Sequence, residues 1–229
     1  MNYKIIQNEK RLLEFINWLP DLEKDEQFYG CLFARKKYDP TGVVTSDKGQ
    51  LKRFTATKDY LYQKIRQLET AVGTYQFNGQ AVPEHALALY IMPNPRSLIR
   101  AARRTLIDLA VLVAGEQTKH RNPHKIAMNN IQKSGRKVFM DFDYDVDKDK
   151  LDLDGFKKLL NSNINWDAYT MLETRGGYHV LVQLECIEEK YKKSWYQGLK
   201  NIPGSDVSGD TLLPVPGCLQ GDFVPILGV

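Results

Sequence analysis

The chain contains no run of about 18 apolar residues, the length a helix needs to cross a bilayer. Its first fifteen residues, MNYKIIQNEKRLLEF, hold neither the apolar block nor the small-residue cleavage site of a secretory signal. No membrane role is expected, and the protein is expected to stay in the cytoplasm. Cysteine is scarce. Cys31, Cys186 and Cys218 are odd in number and far apart, which argues against a disulfide framework and against a cysteine-rich zinc site. They read as core thiols. Internal repeats, low-complexity tracts and linkers are missing as well. The net charge of +4 is too mild to demand a nucleic-acid partner by itself.

What is there is an ordinary globular composition: 229 residues, 42% hydrophobic and 26% charged, enough for one large domain or two small subdomains around a sizeable core. The charge is unevenly placed. Lys and Arg crowd positions 35 to 137, and acidic residues crowd 141 to 154. A basic track leading to an acidic, metal-requiring centre suits a phosphate-bearing polymer.

The acidic centre begins in KVFMDFDYD, residues 137–145. Alternation along a strand puts Val138, Met140 and Phe142 on one face and Phe139, Asp141 and Asp143 on the other. At about 3.3 Å per residue the two carboxylates stand about 6.5 Å apart, a spacing that suits one divalent cation between them or two bridged by them. The acidic run that follows imitates a calcium loop, but the sixth position, which needs Gly for its sharp turn, is Lys148.

In chain order, Asn8 caps a first helix stopped by Pro20, and residues 27–35 form a strand leading into a basic loop. Arg35, Lys36, Lys37, Lys48, Lys52 and Arg53 are candidate phosphate contacts there. A short strand around Phe54 precedes a helix from about Lys58 to Val72, and residues 85–92 form a buried strand. Asn94 and Pro95 read as cap and first turn of a helix that Gly115 ends, whose first half carries Arg96, Arg100, Arg103 and Arg104. Free N–H groups at such a start are a candidate phosphate site, with plain surface arginines as the alternative. Asn122 and Pro123 repeat the signal for a helix ending near Gly135. Asp154 caps a helix after the acidic strand, and DAYTMLETRGGYHVLVQLE reads as a hairpin with a Gly-Gly turn. If Tyr178, Val180 and Val182 face the core, His179 faces the side that holds Asp141 and Asp143. An irregular tail then supplies Asp206 and Asp210.

Taken together these elements resemble the archaeo-eukaryotic primase superfamily, within it the primase-polymerase enzymes typical of phages, plasmids and mobile elements. The pattern is an apolar strand with two acidic residues one apart (Asp141, Asp143), a small-residue turn ending in His (His179), then an isolated Asp (Asp206). YIMPNPR at 90–96, LLPVPGCLQG at 212–221 and RFTATKDYLYQKI from Arg53 are similar to further family segments. The chain departs from the pattern at Gly177, where the family often has Ser, and at Leu212 and Leu213, where basic residues are common. No helicase motor or zinc segment is present.

The resemblance implies an α/β (α+β) fold in a single catalytic domain: an RRM-like palm sheet backed by helices, about residues 126–229, packed against an N-terminal α/β module, about residues 1–125. It implies a template-directed nucleotidyltransferase, a DNA primase and/or DNA polymerase, working on a single-stranded DNA template with nucleoside triphosphates, and a helicase or other replication protein as a further partner. Asp141, Asp143 and Asp206, with Asp210 as the alternative third ligand, would hold two Mg²⁺ or Mn²⁺ ions. His179, Arg175, Arg53 and Gly177 would bind the nucleotide, and Lys36, Lys37, Arg100, Arg103 and Arg104 the template. Two other expectations share these residues: a catalytically degenerate single-strand-binding module of a replication initiator, and a metal-dependent nuclease.

Overall fold

The computed structural model describes residues 1–115 and 122–229. The fold is α+β, with the described residues arranged around antiparallel sheets. The first helix, α1 (Glu9–Trp18), starts where the Asn8 side chain accepts the Arg11 N–H. It buries Leu12, Phe15 and Ile16. β1 (Glu26–Ala34) is almost wholly buried because it is covered on both faces. β2 (Gly49–Ala56) pairs with it, and α2 (Lys58–Arg66) follows, burying Leu61 and Ile65. This helix stops six residues short of the expected Val72: Leu68 and Glu69 close tighter turns onto Ile65 and Arg66. A small hairpin, β3 (Gln76–Phe77) with β4 (Gln80–Ala81), leads to the long β5 (Leu87–Ser97).

Here the structure corrects the reading of Asn94-Pro95 as a helix start. β5 runs on to Ser97, and α3 (Leu98–Val113) is capped by the Ser97 hydroxyl, which accepts from the Arg100 N–H. The reason is a competing set of hydrogen bonds. The Asn94 side chain accepts from the Val138 and Phe139 N–H groups at 2.8 Å each and donates to the Phe139 carbonyl at 3.0 Å. Those bonds clamp it to the start of the acidic strand and leave it unable to cap. Arg96 is likewise not on the helix; it is fully buried. α4 (Pro123–Gln132) does start as its Asn-Pro pair suggests, with Asn122 accepting from the His124 N–H.

The acidic strand is β6 (Phe139–Asp145). α5 (Leu153–Asn161) follows, capped by Asp152 and not by Asp154, which sits in the helix's first turn. β7 (Tyr169–Glu173) and β8 (Gly177–Gln183) form the expected hairpin. The tail is less irregular than the sequence suggests: α6 (Trp195–Lys200), β9 (Ser205–Gly209), β10 (Leu213–Pro214) and β11 (Ile226–Leu227) all lie in it. Two larger sheets result, in the orders β10-β5-β1-β2 and β11-β7-β8-β6-β9.

Each sheet buries one face under helices. Phe28, Leu32, Leu89 and Ile91 pack with Phe15, Leu61 and Ile65 in the first module, and Phe142, Tyr144, Val180 and Val182 pack with Phe156, Leu160 and Leu199 in the second. Each such side chain contributes about 1.5–3 kcal/mol when fully buried. A smaller cluster of Phe139, Leu172, Leu181 and Leu213, with Trp18 against it, joins the two modules. The tail belongs to both. β10 completes the first sheet beside β5 and Cys218 sits in that module's core, whereas β9 and β11 extend the second. No helix of the described residues is long and apolar enough to cross a membrane.

Candidate functional site

The carboxylates lie on the face of the second sheet opposite its helices, as alternation requires: Phe142 and Tyr144 point into the helix-backed core, so Asp141, Asp143 and Asp145 point the other way. Strand register gathers the rest. Asp143 stands opposite His179 of β8 on one side and opposite Asp206 of β9 on the other. Directly paired residues share a face, so His179, Asp143 and Asp206 form one row across three strands.

His179 is buried and Asp141 nearly fully so. The imidazole Nδ1 lies 3.0 and 3.1 Å from the two oxygens of Asp141, and Nε2 lies 3.6 Å from Asp143. The Thr211 hydroxyl donates to Asp141 at 3.1 Å. Burial works against the charged imidazole, but the bond to Asp141 and the field of Asp141, Asp143 and Asp145 outweigh it and raise its pKa above the ordinary value. Burial also raises the pKa of Asp143, as do Asp145, Asp141 and Asp206; His179 pulls the other way. A carboxylate surrounded by three others, with one imidazole as counter-charge, is a site whose electrostatics favour an added cation.

Beside this row is a cavity of about 250 Å³ lined by side chains of both charges. Its lining takes Asp143, Asp145 and His179 from β6 and β8, Arg35 and Lys37 from the chain just after β1, and Thr174 and Gly176 from the hairpin turn. Arg35 lies over the Phe33 and Tyr90 rings, 5.9 and 5.5 Å from their centroids. The sequence reading names Asp141 and Asp143 for the site, although the same period of two extends to Asp145. Arg35, the first residue past β1, follows Cys31 and Phe33 by that period.

The other sequence-predicted residues are placed as follows. Asp206 is exposed at the end of the row. Asp210 is turned away to the buried Arg96, whose two terminal nitrogens contact its carboxylate, with Asn94 donating to it at 3.0 Å. Asp210 is thus committed to a structural pair. Arg175 is ion-paired with Asp222 at 2.6 Å and lies over the Tyr38 ring. Gly177 has φ +155 and its α-carbon abuts the Tyr144 backbone, so Gly176, not Gly177, lines the cavity. Gly177→Ala would push a methyl into the Tyr144 carbonyl and is expected to destabilise the fold by at least about 2 kcal/mol, read as a lower urea midpoint; an unchanged midpoint would show that the turn relaxes. Arg53 lies on β2, outside the lining of this cavity. Lys36 and Lys37 are exposed in a single turn after β1, and Arg100, Arg103 and Arg104 are exposed on α3.

The donor set fits a hard divalent cation: Asp141, Asp143 and Asp206 offer only oxygens, on one face, next to a cavity. Among the described residues, no three His, Cys, Asp or Glu side chains already converge as a finished cage. Binding would therefore reorient Asp206 and draw on the oxygens that Asp141 now shares with His179 and Thr211. No protein-family model matches the chain, and no curated protein and no solved structure matches it.

Proposed function

We propose that the chain is a template-directed nucleotidyltransferase, a primase and/or polymerase that extends a strand on single-stranded DNA, and that its second sheet is an RRM-like palm. The observation that supports this most is the row of His179, Asp143 and Asp206, two residue pairs from Asp141, beside a cavity that Arg35 and Lys37 also line. The β6-α5-β7-β8-α6-β9 order with strand neighbours β7-β8-β6-β9 agrees with the palm reading. Carboxylates and cations lining one small cavity suit a reaction in which negative charge builds on a triphosphate.

In this reading Asp141, Asp143 and Asp206 would hold Mg²⁺ or Mn²⁺. Such ions, when bound, supply charge neutralisation on the attacking and leaving oxygens. Arg35 and Lys37 bind the triphosphate. The imidazolium of His179 orients Asp141 through Nδ1 and presents positive charge toward the same anion through Nε2. Base pairing with the template, not these side chains, selects the nucleotide.

A denaturing gel tests the proposal. With a labelled primer, a single-stranded template, nucleotides and Mn²⁺, the strand is expected to lengthen with template dependence. A strand that shortens would replace this reading by a nuclease, and a strand that is bound but unchanged would replace it by a binding module.

A further inference from the structure

A second cavity, of about 510 Å³, lies between β2 and the start of α4 and is lined by Lys52, Arg53, His124 and Lys125 with Gln50, Leu51 and Asn122. Among the described residues no carboxylate lines it, and none of its three lysine and arginine side chains takes part in an ion pair. Lys52, His124 and Lys125 are exposed, and Arg53 is half-buried. Its guanidinium is near enough to Cys31 to oppose, by its charge, the burial that pushes this thiol up to about 12.

The register ties this groove to the catalytic cavity. Arg53 pairs with Cys31, Cys31 with Tyr90 and Tyr90 with Pro214, one row across the first sheet. Tyr90 and Pro214 line the carboxylate cavity; Arg53 lines the groove. Arg53, Tyr90 and Pro214 therefore share one row of the sheet, with the Arg53 backbone about 10 Å from that of Tyr90, two strand spacings.

We propose that Lys52, Arg53 and Lys125 form a phosphate track that grips the backbone of a single nucleic-acid strand on its way to the carboxylates, with His124, Gln50 and Asn122 as further hydrogen-bonding partners. This gives Arg53 a role on the strand and not on the incoming nucleotide. It rests on the polymerase reading only for the strand's destination; the grip itself is electrostatic and sequence-independent.

The test is fluorescence anisotropy of a labelled single-stranded oligonucleotide, without nucleotide and with EDTA, between 50 and 200 mM salt. Each phosphate contact contributes a slope of about −0.7 in log affinity against log salt. Lys52→Gln with Lys125→Gln is expected to make the slope shallower by about 1.4, and the same loss is expected in an Asp143→Ala background. Both lysines are exposed, so the double variant should melt like the parent. An unchanged slope in the double variant, or a loss of slope that follows Arg103→Gln with Arg104→Gln instead, would overturn the proposal. Absent synthesis with the slope difference intact would sink the polymerase reading and leave the track standing.

Discussion

Asp143→Ala is expected to lower nucleotide incorporation by at least about 10³-fold without lowering the melting temperature of the metal-free protein. The two effects have one cause. Asp143 sits among Asp141, Asp145 and Asp206, and burial together with those charges raises its pKa. A carboxyl whose pKa is raised on folding binds its proton more tightly in the native state, so its contribution is fully favourable below its unfolded pKa. It turns into a cost as pH rises through its folded value. Once ionised, the side chain therefore opposes folding, and its removal relieves the crowding while, in the proposed reading, it deletes an ion ligand.

One control follows from the same reasoning. Millimolar Mg²⁺ or Mn²⁺ is expected to raise the melting temperature of the parent but not of Asp143→Ala, since a ligand that binds only the folded state stabilises it by mass action. His179 changes with pH in the same direction, though there it is the charged form that folding favours. Its raised pKa contributes stability that is complete below the unfolded value and fades as pH rises through the folded one. Incorporation retained in Asp143→Ala would remove the mechanism.

The second large effect separates the two tail aspartates. Asp210→Ala is expected to destabilise the protein by about 3 kcal/mol, because it strips the carboxylate from a fully buried arginine and leaves that charge with the Gln132 carbonyl as its remaining partner. For a chain of this size the melting temperature should fall by about 6–12 °C. Asp206→Ala, at an exposed position, is expected to change stability by no more than about 0.5 kcal/mol and to abolish incorporation. Thermal melts and the extension gel, run on both variants, decide the matter. Full synthesis by Asp206→Ala would exclude Asp206 as the third ligand, and a parent-like melt for Asp210→Ala would show that Arg96 finds other compensation. Replacing the pair together, Arg96→Met with Asp210→Leu, should recover part of the loss, since no uncompensated charge then remains inside.

The sequence by itself determined what depends on neighbours along the chain. Alternation put Asp141 and Asp143 on one face of β6 and aimed His179 away from the core, because a strand's side chains repeat every two residues whatever the strand pairs with. The Asn122-Pro123 start of α4 and the hairpin around residues 174–177 were legible for the same local reason. Tertiary structure alone decided which distant segments meet. Nothing near Asp206 says that it will lie in register with Asp143, or that Asp210, four residues on, will neutralise Arg96; both follow from which strand edge was free and which buried charge lacked a partner. Asn94 shows the limit most plainly. Its local signal was for a helix cap, and three hydrogen bonds to the Val138–Phe139 backbone outweighed the single one that a cap would have formed.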